Sequence, residues 1–131
     1  MIYSVGSIFL DHIIKINSFP KKPIKVLAKG IEKRLGGSAA VASFTIKKLG
    51  LDSSFIGRVG DDDVSKYLKS ELSAFKIKHK DIIIVKSAKS SQSYVYEDNQ
   101  GERLLAAFNE KKLLNNKKLP KVSFAKNITF M

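Results

Sequence analysis

The residues of this 131-residue chain best placed to do chemistry are Gly36, Gly37 and Ser38, at the mouth of a predicted helix. Paired glycines let a backbone approach a ligand closely, and a helix start offers free N–H groups to oxygen atoms. The competing reading is a packing turn, because Gly-Gly before a helix is common. Ser38 fits two compatible roles, a contact to a ligand hydroxyl or a helix cap. Three acids, Asp61-Asp62-Asp63, lead into a second predicted helix, where carboxylates complement the positive helix end. Asp61 and Asp62 read as caps rather than catalysts. His12 has no second histidine, cysteine or carboxylate pair near it, so no metal site is expected. His79 reads as an exposed loop residue. No cysteine occurs, which removes disulfides, thiolate metal sites and cysteine nucleophiles together.

These residues need a frame, and hydrophobic periodicity supplies one. Residues 2–8 read as a buried first strand and His12–Ile16 as a short second one. Pro20 and Pro23 make 17–23 a loop. Ile24, Val26 and Ala28 alternate with lysines and a leucine, which predicts an extended strand from Ile24 to about Leu35. A helix follows over Ser38–Leu49, with Ala42, Ile46 and Leu49 on its apolar face, Lys47 and Lys48 at its negative end, and Gly50 as terminator. Ser54–Val59 is a strand. Val64, Leu68, Leu72 and Phe75 then mark one face of the second helix. Asp81–Val85 is a short strand. Gln92–Glu97 and Glu102–Phe108 form a hairpin about the turn Asp98-Asn99-Gln100-Gly101. Asn127–Met131 looks like a strand opening. The order of elements is α/β, with hairpin strands that need not join the main sheet.

The totals narrow the class. An apolar share of 44% excludes disordered and fibrous chains, and the length fits one domain. The apolar start lacks a preceding basic segment and meets Asp11 and His12 at once, so it reads as a strand rather than a signal peptide. No run approaches the roughly 18–20 apolar residues that cross a bilayer. A soluble, cytoplasmic protein without a membrane partner is expected. The net charge of +12 is unusual, but arginine occurs only at 34, 58 and 103, so 21 of the 24 basic residues are scattered lysines. Phosphate and guanine readers favour arginine forks, so a solvated basic surface is expected rather than nucleic-acid binding.

In order and spacing, the run of Gly6-Ser7-Ile8, Asp11, Gly36-Gly37, Leu49-Gly50 and Phe55-Ile56-Gly57-Arg58-Val59-Gly60-Asp61-Asp62 resembles the first signature region of PfkB (ribokinase-type) carbohydrate kinases. The similarity continues through Lys89-Ser90-Ser91-Gln92-Ser93 and Gly101-Glu102-Arg103. Each piece alone is weak; all of them in register are strong. Within the family these runs look most like the fructose-type members, particularly sulfofructose kinases.

The resemblance implies a fold and a site. The fold is the amino-terminal part of a ribokinase-like three-layer αβα (Rossmann-like) sheet with a small β lid, the lid built from segments of about 12–35 and 91–108. In the family the aspartate after the first strand binds sugar hydroxyls, which here is Asp11; the competing reading is a turn residue. Gly36, Gly37 and Ser38 correspond to the backbone that lines the sugar. Lys25 sits where sulfofructose kinases carry a lysine associated with the anionic group of the substrate, against the reading of a solvated lysine in a lysine-rich chain. The lid would exclude water from phosphoryl transfer and, as in many members, pair with a second subunit.

Two positions depart from the family. Many members have an asparagine four residues after the second glycine, and here that residue is Val41; ribokinase-like members have another two residues before the aspartate, and here it is Phe9. Ribose specificity is therefore not expected. The second family signature, of the form D-T-x-G-A-G-D, occurs nowhere in these residues, nor does a P-loop. Residues 1–131 are expected to be the sugar-binding, amino-terminal portion of a kinase domain, without the carboxy-terminal ATP-binding and catalytic portion. ATP and magnesium belong to the full-length member and no cofactor to this chain alone; no catalytic residue is assigned. The alternative is a non-catalytic sugar-binding or dimerisation module. A basic nucleic-acid binder using Tyr94 and Tyr96 is third, since strand alternation explains those tyrosines more simply.

Overall fold

Strand β1 (Ile2–Val5) is shorter than the predicted 2–8, because Gly6 and Ser7 turn the chain sharply into β2 (Phe9–Lys15). These and the following elements come from a computed structural model that describes residues 1–115 and Lys117. The predicted strand at Asn127–Met131 lies outside the described residues.

β3 is Gly30–Gly36, not Ile24–Leu35. It pairs antiparallel with β2 from Lys15↔Gly30 to Phe9↔Gly36, and beyond Lys15 there is no ladder left to join. The alternation of Ile24, Val26 and Ala28 has another cause. Those side chains border a cavity that Ile14, Ile16, Phe19, Tyr96 and Leu104 complete on one face of the sheet. Apolar periodicity there marks side chains that border a cavity while staying exposed, without a strand.

α1 (Ser38–Lys48) follows, then β4 (Ser53–Ile56), which lies parallel to β1. Helix α1 covers both strands. Its buried residues are Ala39, Ala40, Ser43 and Ile46, while Leu49 is 74% exposed. Of the expected face through Ala42, Ile46 and Leu49, only Ile46 is fully buried, and Leu49 lies past the helix end.

The single strand expected at Ser54–Val59 is two. β4 ends at Ile56, Gly57 intervenes, and β5 (Arg58–Gly60) takes a new partner, β6 (Ile83–Val85), in parallel. α2 (Asp63–Ala74) crosses between β5 and β6 and buries Leu68 and Leu72 as its spacing predicts. Phe75, the last residue of the predicted face, stays partly exposed and meets Phe44 edge-on, centroids 4.6 Å apart.

β7 (Gln92–Glu97) and β8 (Arg103–Phe108) form the hairpin. The Asp98 carboxylate accepts the N–H groups of Gln100 and Glu102 at 2.9 and 3.0 Å, which fixes the turn. Because β7 lies parallel to β2, the two segments meet in one four-stranded sheet of order β3-β2-β7-β8. A one-turn helix, α3 (Lys111–Leu114), was not predicted; Leu113 docks it on Ile83, Val85 and Ala88.

The main core joins the sheets to both longer helices: Ile8, Leu10, Ala40, Phe55, Val59, Leu68, Leu72 and Ile77 are at most 3% exposed. The α/β reading stands. Among the described residues no helix is long and apolar enough to cross a membrane.

Candidate functional site

Strand alternation decides what faces what. In β2, Phe9, Asp11, Ile13 and Lys15 share one face, and Leu10, His12 and Ile14 the other. The register puts Asp11 opposite Arg34 of β3 and Ser93 of β7. Ser93 is 3% exposed, and its hydroxyl donates to Asp11 Oδ1 at 2.6 Å. One carboxylate oxygen is thus held and the other faces the Cα of Gly36. A side chain at residue 36 would occupy the space of that carboxylate. Gly36 is there so that Asp11 can be.

Gly37 serves a different contact. It holds φ +90° and ψ 136° at the start of α1, and a Cβ on it would lie 2.6 Å from the Ser7 carbonyl oxygen and 2.8 Å from Ile8 Cα. The β1–β2 turn and the helix entrance touch backbone to backbone. Gly37 is thus a packing turn, as one of the two readings had it, while Gly36 makes room for an acid of the chain itself. Ser38 is the first helical residue and caps nothing; its hydroxyl lies 3.3 Å from that of Ser7.

Asp11, Gly36, Gly37 and Ser38 line one cleft of about 390 Å³, so four of the five predicted site residues come together. The fifth, Lys25, is exposed in the segment before β3 and is not among the lining residues. The walls are Ile13, Leu35, Val41, Val95 and Leu105, with Arg34 and Arg103 completing the lining. Val41 stands in the cleft as an apolar group where an asparagine was considered, and Phe9 does not line it. A fixed carboxylate over glycine backbone with an apolar wall is suited to polyhydroxylated ligands, since the free oxygen accepts O–H groups.

Sequence reasoning missed Ser93 as the support of Asp11 and both arginines as lining residues. For Ser93 a signal existed: alternation in 92–97 puts Ser93 and Val95 on one face and the two tyrosines on the other. Nothing in the sequence said which face was inward.

A second cavity of about 240 Å³ lies beside Val5–Ile8, Ile56–Arg58 and Leu113. It is the more apolar of the two and holds none of the predicted site residues. The convergent polar groups sit in the first cleft, so we take that one as the candidate site.

The histidines have ordinary work. His12 Nε2 lies 2.9 Å from Gln92 Oε1, and its ring stacks on Tyr94 at 4.5 Å between centroids, on the face away from Asp11. His79 was expected to be exposed but is half-buried, because its ring turns back to the Ile77 carbonyl at 2.9 Å.

Asp62 caps α2 as predicted, accepting the Ser65 N–H at 2.9 Å, whereas the Asp61 N–H donates to the Ala88 carbonyl. Asp62 also takes the N–H and the hydroxyl of Ser90, each at 2.7 Å, which the sequence did not reveal. Burial pushes this carboxyl up, but the bonds from Ser90 and Ser65 outweigh it and hold it below the usual carboxylate range.

With the geometry in place, comparisons are informative. The family described as pfkB family carbohydrate kinase matches residues 1–128. A protein of Pyrococcus horikoshii, provisionally assigned as a sugar kinase, is 29% identical over 109 residues, which is 76% of this chain and 34% of that protein. The ATP-dependent ribose-1-phosphate kinase of Halopiger xanaduensis is 25% identical over 77% of this chain and 34% of its own length. The chain thus spans about a third of these curated relatives. Among solved structures, one provisionally assigned as a ribokinase from Agrobacterium tumefaciens superposes with a TM-score of 0.84 at 29% identity, over 88% of this chain and 38% of that one. The nucleoside kinase of Methanocaldococcus jannaschii, at 23% identity and a TM-score of 0.69, shares the fold over 82% of this chain and 36% of its own.

Proposed function

Because this chain belongs to the pfkB family of carbohydrate kinases, we propose that its Asp11 cleft holds a fructose-like or sulfofructose-like sugar for phosphorylation of one hydroxyl by ATP. The observation that carries this is the Asp11 carboxylate, fixed by Ser93 over Gly36 and open toward the cleft. One oxygen is committed within the protein, and the other is left to accept sugar hydroxyls. Gly37 and Ser38 complete the rim at the entrance to α1, where the Ser38 hydroxyl, bonded to that of Ser7, retains capacity for a ligand hydroxyl. Lys25, in its exposed segment, has a role only if that segment folds over the bound sugar.

ATP and its divalent cation supply the phosphoryl group and its charge neutralisation in a longer family member. Among the described residues, no three His, Cys, Asp or Glu side chains converge as a metal-ligand set. The residues on hand bind and orient; they offer no general base to an attacking hydroxyl. These 131 residues alone therefore hold sugar without transferring phosphate, in the cytoplasm where ATP is made available.

Titration of the chain with fructose, followed by ligand-observed NMR, tests this. Asp11→Asn is expected to weaken binding about tenfold, the loss of one charge-assisted acceptor. Unchanged affinity would remove Asp11 from the site. ADP formation at enzyme-like rates by the chain alone would overturn the division of labour.

A second reading, a dimerisation module, has its own support. β8 is the outer strand of the four-stranded sheet, and Leu104, Leu105 and Phe108 are 59, 58 and 44% exposed on it. A long apolar edge invites pairing with another strand. A homodimer through the lid would cover it and is compatible with sugar binding. Sedimentation at rising concentration is expected to show a dimer that Leu104→Lys disperses; a monomer throughout would end this reading.

A further inference from the structure

The cleft at Asp11 does not end at Val41. Arg34, Leu35 and Val41 also border a neighbouring cavity of about 270 Å³, whose further wall is Phe44 and Phe75. The two spaces adjoin because β3 is the outer strand of its sheet, so Arg34 and Leu35 stand at an open edge beside α1. Helical spacing supplies the apolar wall. Ala39, Ala40, Ser43 and Ile46 are the buried side of α1, which leaves Val41 and Phe44, three residues apart, on the flank that borders this cavity. Phe75, just past the end of α2, meets Phe44 edge-on with centroids 4.6 Å apart. Val41 and Phe75 remain 46 and 37% exposed, so an uncovered apolar strip leads away from the sugar cleft.

The charged groups at the mouth of this second cavity do not suit an anion. Lys33 lies over the Tyr67 ring, 5.9 Å from its centroid, and Arg34 is paired with Glu32. Glu71 adds a carboxylate to the lining. A neutral apolar group is what such a wall takes, since it gives up water for ring edges and valine methyls. The space suffices for one six-membered ring, because a cavity of about 150 Å³ holds benzene. An unsubstituted hexose has no use for it. Its hydroxyls are served by Asp11 and the glycine backbone, and Val41 offers them no hydrogen bond.

We infer that the cleft takes a sugar bearing an apolar substituent, an aryl or short branched alkyl group, which passes Val41 and lies against Phe44 and Phe75. This rests on the reading of the Asp11 cleft as the sugar site. Val41 and Phe75 are then specificity-determining residues, acting on the substituent while Asp11 acts on the hydroxyls.

The test titrates the chain with fructose, with the monobenzyl ethers of fructose, one for each hydroxyl, and with benzyl alcohol, by calorimetry and NMR. At least one ether is expected to bind about tenfold more tightly than fructose, with nuclear Overhauser contacts from its ring protons to the Phe75 ring. Phe75→Ala should remove that advantage and leave fructose affinity unchanged, since Phe75 lies outside the Asp11 cleft. Val41→Thr, which keeps the shape of the side chain on an exposed helix flank, should cut the advantage about threefold and serves if Phe75→Ala loosens the fold. Ethers that bind no better than fructose, with Asp11→Asn weakening all of them, would overturn this inference and leave the cleft reading intact. Ring contacts to Leu105 in place of Phe75 would overturn it too, by putting the substituent under β8. So would benzyl alcohol binding as tightly as the best ether, which would show an apolar contact independent of the sugar. If neither fructose nor any ether binds at millimolar concentration, the cleft reading falls and the inference with it.

Discussion

Gly37→Ala is expected to destabilise the chain by about 3–5 kcal/mol, from backbone strain and overpacking together. The strain arises because φ is +90° there, a conformation that L side chains rarely adopt. The overpacking arises because the added methyl meets main-chain atoms, the Ser7 carbonyl and Ile8 Cα, rather than the movable end of a side chain. Relief would require the β1–β2 turn to separate from the entrance of α1, and Ile8, Leu10, Ala39 and Ala40 all pack there. Gly50 supplies a control. It too has positive φ, +83°, but nothing lies within 4 Å of its would-be Cβ. Gly50→Ala should therefore show the conformational cost alone, about 1–2 kcal/mol. Urea unfolding of both variants separates the two contributions. Equal losses would mean that the turn and helix are not in tight contact. Against a net stability of about 5–15 kcal/mol for a domain, the Gly37 loss is large enough to appear first as poor folding.

The neighbouring glycine behaves differently, and the contrast shows what a sequence discloses. Gly36-Gly37 was legible as a place where something comes close, and the helix after it was legible to within one residue. What came close was not. At residue 36 it is the Asp11 carboxylate, brought there by an antiparallel register that pairs Phe9 with Gly36. Register depends on where β3 begins, and the alternating Ile24, Val26 and Ala28 pointed to a start six residues too early. Those side chains border a cavity beside the sheet without laddering, and periodicity does not separate that from a strand. The strand break at Gly57 was hidden for a similar reason: Ser54 to Val59 reads as one strand, but its halves pair with different strands. Helix α2 was easy because its face is set by local spacing. Ser93, which holds Asp11, and Arg34 and Arg103, which line the same cleft, were hard because each lies on a different strand from Asp11. Family likeness located the acid; only the assembled sheet located its partners.

Asp62→Asn is expected to cost about 2–3 kcal/mol at pH 7, the worth of a hydrogen-bonded charge replaced by a mismatched amide. Asp62 Oδ1 accepts from the Ser65 N–H and the Ser90 hydroxyl, and Oδ2 from the Ser90 N–H. An amide can keep one acceptor oxygen in place, and its NH₂ then faces the other donor. Ser90 is fully buried, so that donor has no access to solvent. The same hydroxyl accepts the Gly60 N–H at 3.0 Å, so the loop before β7 is tied to both β5 and α2. The chain then runs directly through Ser91 and Gln92 to Ser93, the residue that holds Asp11. Loosening at Asp62 should therefore reach the cleft, and weaker sugar binding should accompany the stability loss. The pH dependence gives the sign. Because the folded carboxyl sits below its ordinary value of 3.8, its contribution is fully present above that value and is lost as pH falls through the folded pKa. The gap between wild type and variant should hold from pH 7 to about 5 and begin to close only below about pH 4, where the unfolded chain's carboxyl protonates while the folded one resists. Urea midpoints at three pH values across this range measure it. A gap that persists unchanged to pH 3 would mean that the amide's shape, not the lost charge, is what the Ser90 loop feels.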